Sequence, residues 1–77
     1  MRINLQEQIH SILSEVLNEP SLDANNPERQ HTANWDSLRH MELIMRLEEE
    51  FQVRFSFKEA AAMQSLNDIV QILEVKL

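Results

Sequence analysis

Apolar residues return at intervals of three and four along three stretches of this chain. In the first, Leu5, Ile9, Ile12/Leu13 and Val16/Leu17 form one stripe, with His10, Ser11, Ser14 and Glu15 mostly off it. That is the signature of an amphipathic helix. Asn4 can cap it, with Glu7 as the reciprocal partner of a capping box, and Pro20 marks its end. The spacing predicts a helix over residues 4–18. In the second, Leu38, Met41, Ile44/Met45, Leu47/Glu48 and Phe51 share a face, while Arg39, Glu42, Arg46 and Glu49 fall largely opposite. Asp36 or Ser37 is its N-cap. In the third, Leu66, Ile69/Val70 and Leu73 run to about Lys76 behind a cap at Ser65 with Asp68 third after it. Ser56-Phe57-Lys58-Glu59 reads as another capping box and opens a short helix over about residues 57–62.

Two segments lack this periodicity. Gln52-Val53-Arg54-Phe55 is short and could be extended. Residues 19–35 are rich in turn formers and make a long loop for so small a chain. Loops beyond roughly a dozen residues in compact domains tend to be functional or disordered, and this one delivers the chain to Ser37. Leu22 and Ala33 are candidates to pin it down, and Trp35 is a candidate anchor. Alternating apolar runs and hairpin dipeptides are absent. The expected fold is all-α: an antiparallel four-helix bundle of three main helices and a short third one, with a long first loop, in a single domain spanning 1–77.

Composition narrows the function. The 77 residues include 13 acids against 7 bases, a formal charge of −6. A nucleic-acid partner needs a basic footprint, so this balance points instead to partners with basic patches. There is no glycine and no cysteine, which removes phosphate-cradling glycine loops, disulfides and thiolate chemistry. No apolar run suits a signal peptide or a membrane span, so a cytoplasmic protein is expected.

Ser37 is the residue with chemical interest. At a helix start the first backbone N–H groups have no internal partner, so an anion attached there is favoured by about 0.3–1 kcal/mol. As a plain serine before a helix it could be an ordinary cap. A nucleophile served by His40 and Asp36 is disfavoured, because three residues within four positions cannot line up in series and no glycine-flanked elbow surrounds the serine. His10, His31 and His40 have no ligand spacing and read as exposed polar histidines, so no metal site is expected. Glu48, Glu49 and Glu50 point about 100° apart and cannot share a site. By periodicity alone, Met41 and Met45 would be core.

Asp36-Ser37-Leu38, followed by Met41-Glu42-Leu43, Met45 and Leu47-Glu48-Glu49-Glu50-Phe51, resembles the modification site and second helix of the acyl carrier proteins and related phosphopantetheine carriers. Weaker likeness continues over Phe55, Met63, Leu66, Ile69 and Ile72. The resemblance implies a non-catalytic carrier that holds acyl or aminoacyl groups as thioesters. They would ride on 4′-phosphopantetheine derived from coenzyme A and attached to Ser37, with Asp36 and Leu38 beside it. It implies as partners a phosphopantetheinyl transferase and acyl-loading, acyl-transfer or condensing enzymes of fatty acid or polyketide type, met by a monomer. Leu38, Arg39, Met41, Glu42, Met45, Glu48 and Glu49 would form the docking face, with Leu43, Leu47 and Phe51 inward. The aliphatic core could open to shelter a chain. The alternative is an unmodified helical interaction module using the face around Met41 and Met45.

The chain departs from housekeeping fatty-acid carriers at several positions. Arg39, His40 and Arg46 place positive or titratable groups where those carriers are mostly acidic or neutral. Lys58 and Ala61 stand where they tend to be acidic, and Trp35 replaces a small residue. Because docking runs on charge complementarity, these changes suggest the partner set of a specialised pathway.

Overall fold

The computed structural model describes residues 4–19 and 26–77, and at His31 the backbone alone. Helix α1 spans Leu5–Leu17, α2 Ser37–Phe51, α3 Phe57–Ala62 and α4 Leu66–Lys76, with a 3-10 turn at Arg29–His31. The result is an all-α bundle in which α1 packs against both α2 and α4.

The helix ends follow the local chemistry of the sequence closely. Asn4 caps α1 by accepting from the Gln6 N–H at 2.8 Å, one residue short of the Glu7 N–H that a capping box uses. The other end closes before Pro20. Asn18 turns left-handed at φ 56°, its N–H bonds Glu15 O, and Glu19 N–H bonds Ser14 O. Asparagine tolerates this conformation better than most residues. Ser56 and Glu59 make the full reciprocal box at the start of α3, and Ser65 accepts from Asp68 N–H to open α4.

The core is drawn from the predicted stripes: Ile9, Ile12, Leu13, Val16 and Leu17 of α1, Leu43 and Leu47 of α2, and Leu66, Ile69 and Leu73 of α4, closed by Trp35 and Met63. Phe51 is half-buried against it. Two expectations from periodicity need correction. Met41 and Met45 are not core but exposed, at 64% and 65%, together with Leu38 at 64%. The inward face of α2 is His40, Leu43 and Leu47. His40 is therefore buried, contrary to the reading of the histidines as exposed, and His10 is half-buried.

The long loop is held in a way that no pattern announced. Ala33 is exposed and pins nothing, while Leu22 lies outside the described residues. Pro27 is buried instead. Arg29 N–H donates to Gln64 O at 2.8 Å, Leu66 N–H donates to Pro27 O at 2.9 Å, and Glu28 bridges Ser65. Asn67 N–H adds a bond to Asn26 Oδ1 at 2.7 Å. Residues 26–29 are thus fastened to the junction of α3 and α4, and Trp35, 3% exposed, anchors the end of the loop beneath α2. Residues 53–56 form no strand, and Val53 and Phe55 lie half-buried on the core.

Candidate functional site

Asp36, rather than Ser37, is the N-cap of α2. It is extended, at φ −95° and ψ −175°, and its Oδ1 accepts from the Arg39 N–H at 2.9 Å. His40 N–H closes the first intrahelical bond on Asp36 O at 2.8 Å. Ser37 is therefore the first helical residue. The N–H groups of Ser37 and Leu38 belong to the first turn, for which a helix supplies no acceptor. The Ser37 side chain is exposed, so its hydroxyl stands at the positive end of a helix of 15 residues.

Among the described residues, one cation reaches this hydroxyl. Nη2 of Arg29 lies 3.5 Å from Ser37 Oγ, at the outer limit of a hydrogen bond. Arg29 belongs to the 3-10 turn whose start is fastened to Gln64, and the turn is tightened by the Thr32 hydroxyl donating to Glu28 O at 2.8 Å. Sequence reasoning passes over Arg29 because it stands alone in an aperiodic segment, eight residues from the serine.

Behind the serine lies a buried polar chain. Trp35 Nε1–H donates to His40 Nδ1 at 2.9 Å, and His40 Nε2 is 2.8 Å from Ala60 O in α3. An indole nitrogen only donates, so Nδ1 must be the acceptor, and the ring proton must sit on Nε2 facing the carbonyl. Both ring nitrogens are occupied, and Oδ1 of Asp36 serves the cap. The histidine that the triad weighed above would need as its base is thus engaged in structure.

The side chains around Ser37 divide into two kinds. Leu38, Met41 and Met45 make an exposed apolar strip along α2, flanked by the exposed carboxylates of Glu42 and Glu49 and the half-buried Arg39. Glu48 differs. It is half-buried, and its Oε2 accepts the Phe55 N–H at 2.9 Å, tying α2 to the segment that leads into α3. Arg46 pairs with Glu15 across α1 and α2 at 2.7 Å, and that carboxylate raises the Arg46 pKa above its ordinary value. Its charge is thereby largely answered within the molecule.

The donors at Ser37 suit a phosphodiester: an attachment oxygen open to solvent, first-turn N–H groups and a guanidinium within reach. In agreement, the family model described as a phosphopantetheine attachment site matches residues 7–73. Among solved structures, a Mycobacterium tuberculosis protein provisionally named an acyl carrier protein is similar at 25% sequence identity and a TM-score of 0.81, over 96% of this chain and 100% of that one. No curated protein gives a significant sequence match.

Proposed function

The chain belongs to the phosphopantetheine-attachment family, whose expected covalent cofactor is 4′-phosphopantetheine, and from that premise we propose that Ser37 carries the group and that the protein presents cargo on it to partner enzymes. The observation that carries this reading is the exposed Ser37 hydroxyl at the first position of α2, directly after a cap made by Asp36. Loading joins Ser37 Oγ to the pantetheine-bearing phosphorus of coenzyme A. The bond from that phosphorus to the nucleotide half breaks, and the hydroxyl proton passes to a phosphopantetheinyl transferase. The base is assigned to that enzyme, because both ring nitrogens of His40 are engaged within the fold.

When bound, the group supplies a terminal thiol on which acyl or aminoacyl units ride as thioesters. The chain's own residues do the rest. The N-terminal turn of α2 holds the phosphodiester anion, a preference of about 0.3–1 kcal/mol at an exposed site. Leu38, Met41 and Met45 offer an adaptable apolar grip, and Glu42 and Glu49 set the charge that basic partners read. Asp36 and Arg39 flank the attachment point. No catalytic step is assigned to the chain. It acts as a monomer in the cytoplasm, and among the described residues no helix is long and apolar enough to cross a membrane.

Partners of a specialised pathway are favoured, on fewer residues than sequence alone suggests. Trp35 and His40 face inward and Arg46 is paired with Glu15, so they contribute little to recognition. Arg39 and the exposed Lys58 carry the difference in charge.

Intact mass after incubation with coenzyme A, magnesium and a broad-specificity phosphopantetheinyl transferase tests the assignment. The parent should gain one phosphopantetheine and Ser37→Ala none. A folded parent that gains nothing while still binding partner proteins would favour an unmodified interaction module.

A further inference from the structure

Arg29 is neither in the bundle core nor on the exposed strip of α2, yet its position is well defined. Its N–H donates to Gln64 O at 2.8 Å, and on either side Pro27 O accepts from Leu66 N–H while Glu28 bridges Ser65. The backbone at Arg29 is thus fixed to the α3–α4 junction. Its half-buried side chain crosses from there to α2, where Nη2 stops 3.5 Å from Ser37 Oγ.

That contact uses little of what a guanidinium offers. Arginine carries five N–H donors in a planar fork, and a neutral hydroxyl at this distance takes one of them weakly. A phosphate oxygen is the partner that such a fork suits, through charge-assisted and often bidentate bonds. The Asp36 carboxylate adjoining the serine is engaged with the Arg39 N–H. Among the described residues Arg29 forms no ion pair with it, so that carboxylate does not answer the guanidinium.

We propose that Arg29 is a phosphate-binding residue of this carrier: its guanidinium pairs with the phosphodiester formed on Ser37 Oγ and ties the root of the arm to the α3–α4 junction. The inference rests on attachment at Ser37 and adds to it a residue that restrains where the arm leaves the surface. Because both groups are accessible to water, the pairing weakens as salt rises. Lysine, a point charge without the fork, replaces it only in part.

The test compares the unmodified and loaded forms of the parent, Arg29→Lys and Arg29→Ala, with loading established by intact mass. Two signals are followed at low and high salt: the 31P resonance of the diester and the Nε–Hε resonance of Arg29. Loading should shift the Arg29 resonance in the parent at low salt, and the shift should shrink at high salt. The 31P resonance should move in Arg29→Ala and lie between the two in Arg29→Lys. Since the Arg29 signal is read in the parent itself, the test does not depend on any variant folding. A loaded parent whose Arg29 resonance stays where it was, with 31P shifts alike in all three proteins, would overturn the role of Arg29 and leave the attachment intact. A parent that takes up no phosphopantetheine would overturn both, and mass alone identifies that case.

Discussion

The indole N–H of Trp35 donates to Nδ1 of His40 at 2.9 Å, and the same imidazole reaches Ala60 O at 2.8 Å. Two residues that look like departures in a docking surface are in fact one buried strut. It joins the end of the long loop, the first turn of α2 and the short α3, which buries no residue of its own. The strut requires a neutral ring protonated on Nε2, because a proton on Nδ1 would face the indole N–H. Long-range 1H–15N spectra of His40 should show that tautomer. Replacement by Phe leaves a buried donor and a carbonyl short of a partner, so His40→Phe should cost about 2–4 kcal/mol in urea unfolding followed by the fluorescence of Trp35. A loss below about 0.5 kcal/mol would contradict the strut.

Asp36 and Ser37 have separate tasks, one capping and one exposed. Asp36→Ala should lose about 0.5–2 kcal/mol of stability, whereas Asp36→Asn, whose side-chain carbonyl still accepts, should keep most of it. The pair also separates capping from recognition. If Asp36→Asn is as stable as the parent but is loaded more slowly by the transferase, then the carboxylate charge itself is read by that enzyme.

Glu48 and Glu49 are neighbours with different surroundings. Glu48 accepts the Phe55 N–H, while Glu49 is exposed. Glu48→Ala should destabilise by about 1–2 kcal/mol through the stranded N–H, and Glu49→Ala should stay within about 0.5 kcal/mol. Equal urea midpoints for the two variants would refute the distinction. A fall in partner affinity in Glu49→Ala at unchanged stability would mark it as a docking acid.

Glu59 links acid sensitivity to α3. Its carboxyl is held below the ordinary value of 4.5, first by the Ser56 N–H and then by Lys76 at 3.0 Å. A depressed native pKa means that protonation costs the folded state more than the unfolded one. This contribution is complete above the unfolded value and is lost as pH falls through the native value. Urea midpoints taken from pH ~6 down to ~3 should fall more steeply in the parent than in Glu59→Gln, which retains a capping side chain. Parallel curves would sink the assignment.

Much of the fold was legible in the linear pattern because it is local. The apolar stripes of α1 and α4 and the caps at Asn4, Ser56 and Ser65 are set by residues two to four apart, and a helix satisfies its backbone within that distance. The end of α1 was placed correctly, but the device that closes it was not foreseen. Asn18 closes the helix with its own left-handed turn. In α2 the pattern was ambiguous, since Leu38, Met41, Leu43, Ile44, Met45 and Leu47 supply more apolar positions than one side of a helix can bury. Periodicity cannot choose among them. Packing against α1 and the loop selected Leu43 and Leu47, with His40 completing the face, and turned Leu38, Met41 and Met45 outward.

What the sequence by itself determined, then, is an all-α chain with a serine at the start of its second helix and the run from Asp36 to Phe51 that resembles a carrier's modification site. Tertiary structure alone decided which residues surround that serine. Arg29 comes within reach because residues 26–29 are fastened to the α3–α4 junction, Trp35 turns inward to His40 and His40 to Ala60, and Arg46 is taken up by Glu15. Each of these contacts joins residues from different elements, brought together by burial of a shared core. Burial is non-directional: it leaves a period within each helix but no mark of which elements will meet.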